Sequence, residues 1–399
     1  MAKKKRPWMK FRHKVVRATL WPFIKIYSEW KYGIRVEHFK EQKRRQYLIL
    51  MNHQTAFDQF FVGIAVDGPI YYLASEDLFS NGWVSSLIRY LVEPIPIKKQ
   101  TTDIQAVRNC VRVAKEGGTI ALAPEGNRTY SGKTEYMNPS IVSFIRVLKL
   151  PVLLFRIEGG YGAQPRWSDV IRKGKMRAFV SRVVEPEEYK DMTDEELYAL
   201  VQEGLYVNEA VSDSSFTHKK LAEYLERLLY VCPYCGLSVF ESHDDVVRCT
   251  TCNREVRYLP TKELEGVGFE LPFRFMNDWY EYQKDFVNQL DVSAYKENPL
   301  FEDNAKFSEV IVYKNKNVLK QQAQIALYGD RIAVDEIVFP FDEVMAVSVL
   351  GRNKLNIYHD KKVYQLKGDK RFNAIKYVNI FYRYKNVSKG EADGKFLGL

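Results

Sequence analysis

The stretch "YLILMNHQTAFDQF", residues 47–60, guides the prediction of the fold. Its first five residues are apolar without a break, which is typical of a strand buried on both faces of a parallel sheet. Polar residues follow at once, among them His53 and Asp58, and a helical pattern then begins. We therefore predict a strand, a turn that holds His53, and a helix with Asp58 in its first turns.

Strand and helix patterns alternate from residue 46 to residue 160. The strand patterns include "PIYYLAS" (69–75), "TIALAPEG" (119–126) and "LPVLLFRIEGG" (150–160). The segment "TTDIQAVRNCVRVAKEGG" (101–118) has the capping residues, apolar face and terminal glycines of a helix. This alternation predicts an α/β domain, which we place at residues 41–230.

Charge is distributed unevenly along the 399 residues. Nine of the 60 Lys and Arg lie in residues 1–25, which hold no acid, so the rest of the chain has 51 basic and 50 acidic residues. A protein that is nearly neutral outside one basic arm is not expected to carry an extended nucleic-acid groove. We therefore expect no nucleic-acid partner for the main body of the protein.

The arm itself, residues 1–40, has the pattern of a basic amphipathic helix. It lacks the continuous apolar core of a signal peptide and the ~18 apolar residues of a membrane span. Its apolar residues recur at near-helical spacing: Trp8, Phe11, Val15, Val16, Leu20, Phe23, Ile24 and Tyr27. Such helices lie in membrane interfaces, so we expect membrane phospholipids as partners. A solvated helix that covers the protein's own core and an arm that binds nucleic acid remain alternatives.

His53 and Asp58 form an H-x4-D pair, which is a weak motif alone, because a hydrogen-bonded loop histidine would look the same. Three further blocks follow it in order: "PIPIKKQ" (94–100), "APEGNRTYSG" (123–132) and the strand with Pro that begins at residue 150. Together the four blocks resemble the glycerolipid acyltransferase family, whose best-known member is 1-acylglycerol-3-phosphate acyltransferase. The resemblance covers about residues 1–230.

The resemblance implies an enzyme of phospholipid biosynthesis at the cytoplasmic face of a membrane, bound peripherally. It would transfer a fatty acyl chain from acyl-CoA or acyl carrier protein to the hydroxyl of a lysophospholipid, for which we expect 1-acylglycerol-3-phosphate. Acyl carrier protein would then also be a partner. Another acceptor, such as glycerol-3-phosphate or a different lysophospholipid, is an alternative. So is a lipid-binding adaptor without catalysis.

The residue types suit this chemistry. His53 can remove the proton of the attacking hydroxyl, and Asp58 can orient the imidazole and stabilise the imidazolium. The family's E-G-T-R block has Asn in place of Thr here, and it aligns the substrate-binding residues Glu125, Gly126, Asn127 and Arg128. Lys98 and Lys99 fit the basic positions of the second block, and with Arg128 they would bind the acceptor phosphate. A surface ion pair for Arg128 and a solvated turn for the lysines are the alternatives.

A second motif lies in "CPYCGLSVFESHDDVVRCTTC", residues 232–252. Two C-x-x-C pairs, Cys232 with Cys235 and Cys249 with Cys252, have the spacing of a closed structural zinc site. We predict a zinc ribbon over residues 231–260. Two disulfides are the rival interpretation, which a chain without a secretory signal disfavours.

Residues 261–300 contain one helical pattern and are predicted to form a helical linker. Short strand patterns separated by turn signals then begin with "EVIVYK" (309–314), and one amphipathic helix closes the chain. The order of strands and helix in residues 301–399 resembles a pleckstrin-homology-like or GRAM-like domain. Such domains bind lipid headgroups or proteins, and a packing module is an equal alternative.

Overall fold

The computed structural model describes residues 7–42, 45–97, 103–211 and 213–390. Among these residues, no helix combines the length and the apolar character needed to cross a bilayer. The described residues form an α/β unit up to about residue 230, a cysteine ribbon (231–266), a helix that follows it, and a β-rich C-terminal unit (301–390).

In its described residues, the α/β unit contains eight α-helices and seven strands. Its helices are α1 Phe11–Tyr32, α2 Asp58–Ala65, α3 Gly82–Leu91, α4 Ile104–Lys115, α5 Ser140–Leu148, α6 Gly160–Ala163, α7 Pro186–Tyr189 and α8 Asp194–Leu205. Its strands are β1 Ile34–Val36, β2 Leu48–Met51, β3 Ile70–Ser75, β4 Ile95–Ile97, β5 Thr119–Leu122, β6 Val152–Glu158 and β7 Met176–Val184.

These strands form one mixed sheet in the order β1-β7-β6-β2-β5-β3-β4. Strands β6, β2, β5, β3 and β4 are parallel, whereas β7 runs antiparallel to β6. Strand β1 pairs with β7 and belongs to this sheet, although it precedes the boundary at residue 41 that the sequence predicts. The last part of the N-terminal segment is therefore an edge of this sheet.

Strand β2 lies in the middle of the sheet, as its apolar run predicts. Leu48 and Leu50 face a cluster with helices α4, α5 and α8, whereas Ile49 and Met51 face a cluster on the side of α2. All four side chains are buried, because both faces of the strand are covered. Since β2 and β5 are parallel neighbours, the loops after their carboxyl ends lie side by side.

Helix α1 packs on α2 with one face. Trp21 lies so close to Gly63 that a β-carbon there would overlap the indole ring. The ring of Tyr27 lies 5.6 Å from the ring of Phe57, just before α2. Arg17 donates to backbone carbonyls at the end of α2. This face covers the protein's own core, as one of the alternatives for the arm predicted.

The cysteine ribbon is longer than the 231–260 predicted from the sequence. It contains β8 Val231–Cys232, β9 Gly236–Leu237, β10 Phe240–His243, β11 Val246–Cys249, β12 Glu255–Tyr258 and β13 Leu264–Gly266. The last four strands form an antiparallel sheet in chain order. Strand β13 therefore lies within the segment that the sequence predicts as a helical linker.

Helix α9, Met276–Gln289, is a core element rather than a linker. Its Trp279 donates to the carbonyl of Val231 at 2.9 Å, and its Gln283 accepts from the backbone of Tyr230 at 2.9 Å. Both side chains are buried. The correction arises because the apolar face of α9 finds partners on both the ribbon and the C-terminal unit, which local periodicity does not reveal.

The C-terminal unit contains β14 Phe301–Glu309, β15 Asn317–Leu327, β16 Arg331–Val334, β17 Ile337–Pro340, β18 Val344–Leu350, β19 Lys354–His359, β20 Lys362–Gly368 and the helix α10 Ile375–Ser388. The strands form an antiparallel sheet in the order β17-β16-β15-β14-β20-β19-β18. The strand predicted at 309–314 is wrong, because β14 ends at Glu309 and the chain then turns. The resemblance to pleckstrin-homology-like domains stays a prediction.

The C-terminal unit docks on the α/β unit through buried polar contacts. Tyr358 donates to a carboxylate oxygen of Glu76 at 2.5 Å, and Glu76 is buried. Asp77 accepts hydrogen bonds from Lys316 and, at 3.2 Å, from Lys354. Charges that are removed from water need such partners, so these contacts fix how the two units meet.

Candidate active site

The carboxylate of Asp58 organises the turn after β2. Asp58 is the first residue of α2 and has no exposed surface. Its oxygens accept from the backbone N–H groups of Gln54 at 2.7 Å and Thr55 at 2.9 Å, and from the hydroxyl of Thr55 at 2.7 Å. A buried carboxylate is tolerated when it is satisfied in this way, and the turn folds around it.

His53 meets the same carboxylate. Its Nδ1 lies 2.8 Å from Oδ2 of Asp58. Because the carboxylate is an acceptor, Nδ1 carries the proton, and Nε2 is then the basic nitrogen. The His53 side chain is 25% exposed, so solvent and substrate can reach a ring that its buried partner holds in place. The predicted position of His53 in the turn and of Asp58 at the helix start is confirmed.

Neighbouring side chains fix the rest of this turn to β6 and to the segment that follows it. The amide of Asn52 both donates to and accepts from the backbone of Ile157, at 2.8 Å each. Gln54 accepts from the backbone of Tyr161 at 3.1 Å. All these groups are buried, which makes the position of His53 a property of the sheet rather than of a flexible loop.

Glu125 links the two adjacent strand ends. One carboxylate oxygen accepts from the backbone N–H of His53 at 2.8 Å, and the other accepts from the backbone N–H of Glu135 at 2.9 Å. Burial raises the pKa of Glu125 to about 8, although both hydrogen bonds act in the opposite direction. With both oxygens engaged by the backbone, Glu125 positions the site.

Gly126 and Asn127 shape the loop between Glu125 and Arg128. Gly126 has φ 71°, a left-handed conformation that glycine adopts without strain, which explains its identity better than proximity to a ligand. Asn127 is buried, and its side-chain oxygen accepts from Arg166 at 3.3 Å. Whether these two residues contact a substrate stays a prediction.

Arg128 is a buried cation. It is 9% exposed, and its Nη1 has no hydrogen-bond partner in the described part of the chain. Burial lowers the pKa of Arg128 to about 10, and the positive charges of Arg166 and Arg352 add to this effect. A buried guanidinium beside two others is a site where an anion would be strongly stabilised.

Sequence patterns did not identify Thr55, Glu135, Arg166 or Arg352 as parts of this site. Thr55 could have been found from the sequence, because a hydroxyl three residues before an acidic residue at a helix start can donate a hydrogen bond to that carboxylate. Arg166 and Arg352 carry none, because each is an isolated arginine far from the motifs. Lys98 and Lys99, predicted to bind phosphate, lie outside the described residues, and β4, which precedes them, is the far edge strand of the sheet.

The four cysteines of the ribbon form a separate cluster. The sulfur atoms of Cys232, Cys235, Cys249 and Cys252 all lie within 4.8 Å of one another. The Cys232 and Cys252 sulfurs are 3.7 Å apart and those of Cys235 and Cys249 are 3.5 Å apart. Four sulfurs at ~2.3 Å from one ion in a tetrahedron are ~3.8 Å apart, so the cluster could bind a metal. All four are free cysteines, unlike in the disulfide alternative.

Glu125→Gln should destabilise the protein. The amide keeps one acceptor oxygen but turns an NH2 group toward a backbone N–H, which leaves a buried donor unsatisfied at a cost of about 1–3 kcal/mol. Urea unfolding measures this loss, with Glu187→Gln, on the exposed side of α7, as the matched control. An unchanged free energy of unfolding in Glu125→Gln would contradict the bridging role.

Comparisons with known proteins bear on the α/β unit. Residues 33–157 match the family model described as Acyltransferase, and this segment runs from β1 into β6. The chloroplastic 1-acyl-sn-glycerol-3-phosphate acyltransferase of Brassica napus is 20% identical over 179 residues, which are 44% of this chain and 51% of that protein. The chain therefore spans about half the length of this curated relative.

A solved structure is also similar, that of the 1-acyl-sn-glycerophosphate (LPA) acyltransferase PlsC from Thermotoga maritima. It is 24% identical, with a TM-score of 0.40, over 49% of this chain and 80% of that one. The family model lies within the α/β unit, and both similar proteins carry the name of an acyltransferase.

Proposed function

We propose that the protein transfers a fatty acyl chain from acyl-CoA or acyl carrier protein to the free hydroxyl of 1-acylglycerol-3-phosphate. The observation that carries this proposal is the 2.8 Å contact between His53 Nδ1 and the buried Asp58 carboxylate. A buried cation, Arg128, close enough to Asp58 for their charges to interact, supplies the second element that the reaction needs.

In the proposed reaction, Nε2 of His53 removes the proton of the acceptor hydroxyl as its oxygen attacks the thioester carbonyl. Asp58 stabilises the imidazolium that forms, and its hydrogen bond keeps the ring in the productive tautomer. The tetrahedral intermediate collapses with cleavage of the carbon–sulfur bond, and the imidazolium returns the proton to the leaving thiolate. No nucleophile of the protein is needed, because the acceptor itself attacks.

The acceptor is inferred from the charge of the site. Arg128 is buried and keeps a nitrogen without a hydrogen-bond partner among the described residues, which suits a phosphate oxygen. This supports a phosphate-bearing acceptor, such as 1-acylglycerol-3-phosphate, over an uncharged one. A lipid-binding adaptor would not need a basic nitrogen oriented by a buried carboxylate.

His53→Ala should lower kcat by about a hundred- to ten-thousand-fold, because it removes the general base. The assay follows labelled acyl-CoA or acyl carrier protein with a panel of lysophospholipids. The chain offers a matched control in His38, an exposed histidine 3.4 Å from Asp67, and His38→Ala should keep full activity. Near-normal turnover by a folded His53→Ala protein would exclude the base role.

We further propose that α1 and α3 bind a membrane surface. The outer face of α1 exposes large apolar side chains, including Phe23 (72% exposed) and Trp30 (76%). Basic residues such as Lys14 and Lys25 flank this face and suit anionic headgroups. An exposed apolar face bordered by positive charge is typical of an interfacial helix.

Helix α3 extends this apolar surface. Trp83 and Tyr90 of α3 are 76% and 59% exposed. Arg12 of α1 donates to the carbonyl of Tyr90 at 2.6 Å and stacks on its ring, so the two helices are neighbours. Because α1 also packs beside Phe57, next to Asp58, a membrane bound here would bring lipid substrates near the site.

The double variant Phe23→Ser with Trp30→Ser should float less with anionic liposomes and lose activity on bilayer substrate. Trp83→Ser should add to this loss. Point variants are preferable to removal of the whole arm, because α1 also covers α2. Met345→Ser, 62% exposed on β18, is the control for loss of an exposed apolar side chain elsewhere. Equal flotation of all variants would contradict membrane binding through α1 and α3.

We also propose that the cysteine cluster binds a structural zinc ion. Thiolates are the ligands that zinc prefers in closed structural sites. Backbone N–H groups of Tyr234 and Cys235 donate to the sulfur of Cys232. The hydroxyl of Ser238 lies 3.0 Å from the sulfur of Cys249. Such contacts orient metal-bound thiolates, and four protein ligands leave no open position for catalysis.

Elemental analysis should then find one zinc per chain, and Cys249→Ser should lose it. Cys110→Ser, which changes a buried free cysteine of α4 outside the ribbon, is the control. Chelation should increase hydrogen exchange in the ribbon more than in the α/β sheet, because metal-binding energy is local folding energy. A metal-free protein with an unchanged exchange pattern would contradict the zinc site.

A further inference from the structure

Arg166 joins the loop of Arg128 to the C-terminal unit. Its guanidinium donates to the carbonyl of Arg128 at 3.1 Å and to the side chain of Asn127 at 3.3 Å. It also donates to the carbonyls of Val349 and Gly351, both at 3.1 Å. One side chain with 2% exposure therefore holds two distant segments together.

The residue after Gly351 is Arg352, in the turn between β18 and β19. Its Nη1 lies 3.2 Å from Asp169, whereas its Nε is buried and has no hydrogen-bond partner in the described ranges. Because Arg166 donates to the carbonyls of both Arg128 and Gly351, the turn of Arg352 lies beside the loop of Arg128, and the charge of Arg352 helps to lower the pKa of Arg128. Among the residues that the structure describes, Arg128 and Arg352, which come from different units, thus each keep a buried nitrogen without a hydrogen-bond partner.

The nearby carboxylates are already engaged. Asp58 accepts from the turn of His53, as described above. Asp169 accepts from Arg227 at 2.7 Å in addition to its contact with Arg352. Arg128, Arg166 and Arg352 therefore form a cluster with surplus positive charge, which is costly unless an anion joins it.

We propose that Arg352 is a further substrate-binding residue, which together with Arg128 binds the phosphate monoester of the acceptor. The C-terminal unit then completes the acceptor site, and Arg166 is the positioning residue that brings the two arginines together. This inference rests on the proposed function. It also gives a preference among substrates, because a dianionic monoester can engage two guanidinium groups better than a monoanionic diester.

Arg352→Ala should raise KM for 1-acylglycerol-3-phosphate roughly ten-fold, since a hydrogen-bonded charge is lost from the site. The Ki of inorganic phosphate as a competitor should rise in parallel, whereas KM for the acyl donor should not change. Comparing this Ki with the lipid KM in the wild-type protein separates recognition of phosphate itself from recognition of the lipid. Arg352→Lys keeps the charge without the planar fork and should give an intermediate KM.

Arg331→Ala is the matched control. Arg331 is the first residue of β16 in the same unit, and its Nη1 lies 2.8 Å from the carboxylate of Asp330. The fold should survive Arg352→Ala, since Asp169 keeps Arg227 as its partner. Wild-type KM and Ki in both Arg352 variants would overturn the inference, as would an equal rise in KM for the acyl donor.

The results that would refute the proposed function differ from those that would refute the role of Arg352. A wild-type protein that acylates no acceptor would refute the enzyme, and thermal stabilisation by inorganic phosphate would then test the anion site alone. Stabilisation that Arg352→Ala loses and Arg331→Ala keeps would support the site. Equal stabilisation of all three proteins, or none in the wild type, would overturn it.

Discussion

The buried carboxylate of Asp58 is the constraint on which the candidate site depends. It accepts from two backbone N–H groups, one hydroxyl and the imidazole of His53, so the turn, the helix start and the ring orientation have one common partner. Removing any donor would leave a buried charge less well satisfied, and that penalty keeps the geometry unique. The H-x4-D spacing follows, because the turn must bring His53 back to the first residue of α2.

The sheet extends this local constraint to the loop of Arg128, the proposed anion site. Strands β2 and β5 are parallel neighbours, and Glu125 connects the backbone after one to the loop after the other. His53 and the buried cation Arg128 can therefore lie on adjacent loops without depending on flexible side chains. Placement of reacting groups by rigid strands accounts for much of what an enzyme gains over solution chemistry.

Sequence alone predicted the parts of the molecule that local patterns determine. For the apolar run before His53, the capped helix α4 and the two cysteine pairs, the residues that predict each feature lie close together in the sequence. The role of α9 and the strand predicted at 309–314 were misjudged, because long-range packing and a turn decided them. Arg166 contacts Gly351 although the two are 185 residues apart in sequence, and no pattern of residue types predicts such a contact.

The same long-range packing connects the ribbon, α9 and the C-terminal unit to the candidate site. One continuous hydrophobic cluster includes Tyr130 of the loop after β5, Trp279 of α9, Cys249 of the ribbon and Val349 beside the Arg352 turn. Tyr130 also lies 4.3 Å beneath the Arg166 guanidinium. Because close-packed interiors transmit small displacements, loosening the ribbon would shift the surface on which Arg166 and Arg352 are held. The proposed metal would thus influence the proposed acceptor site through packing alone, without contact with the substrate.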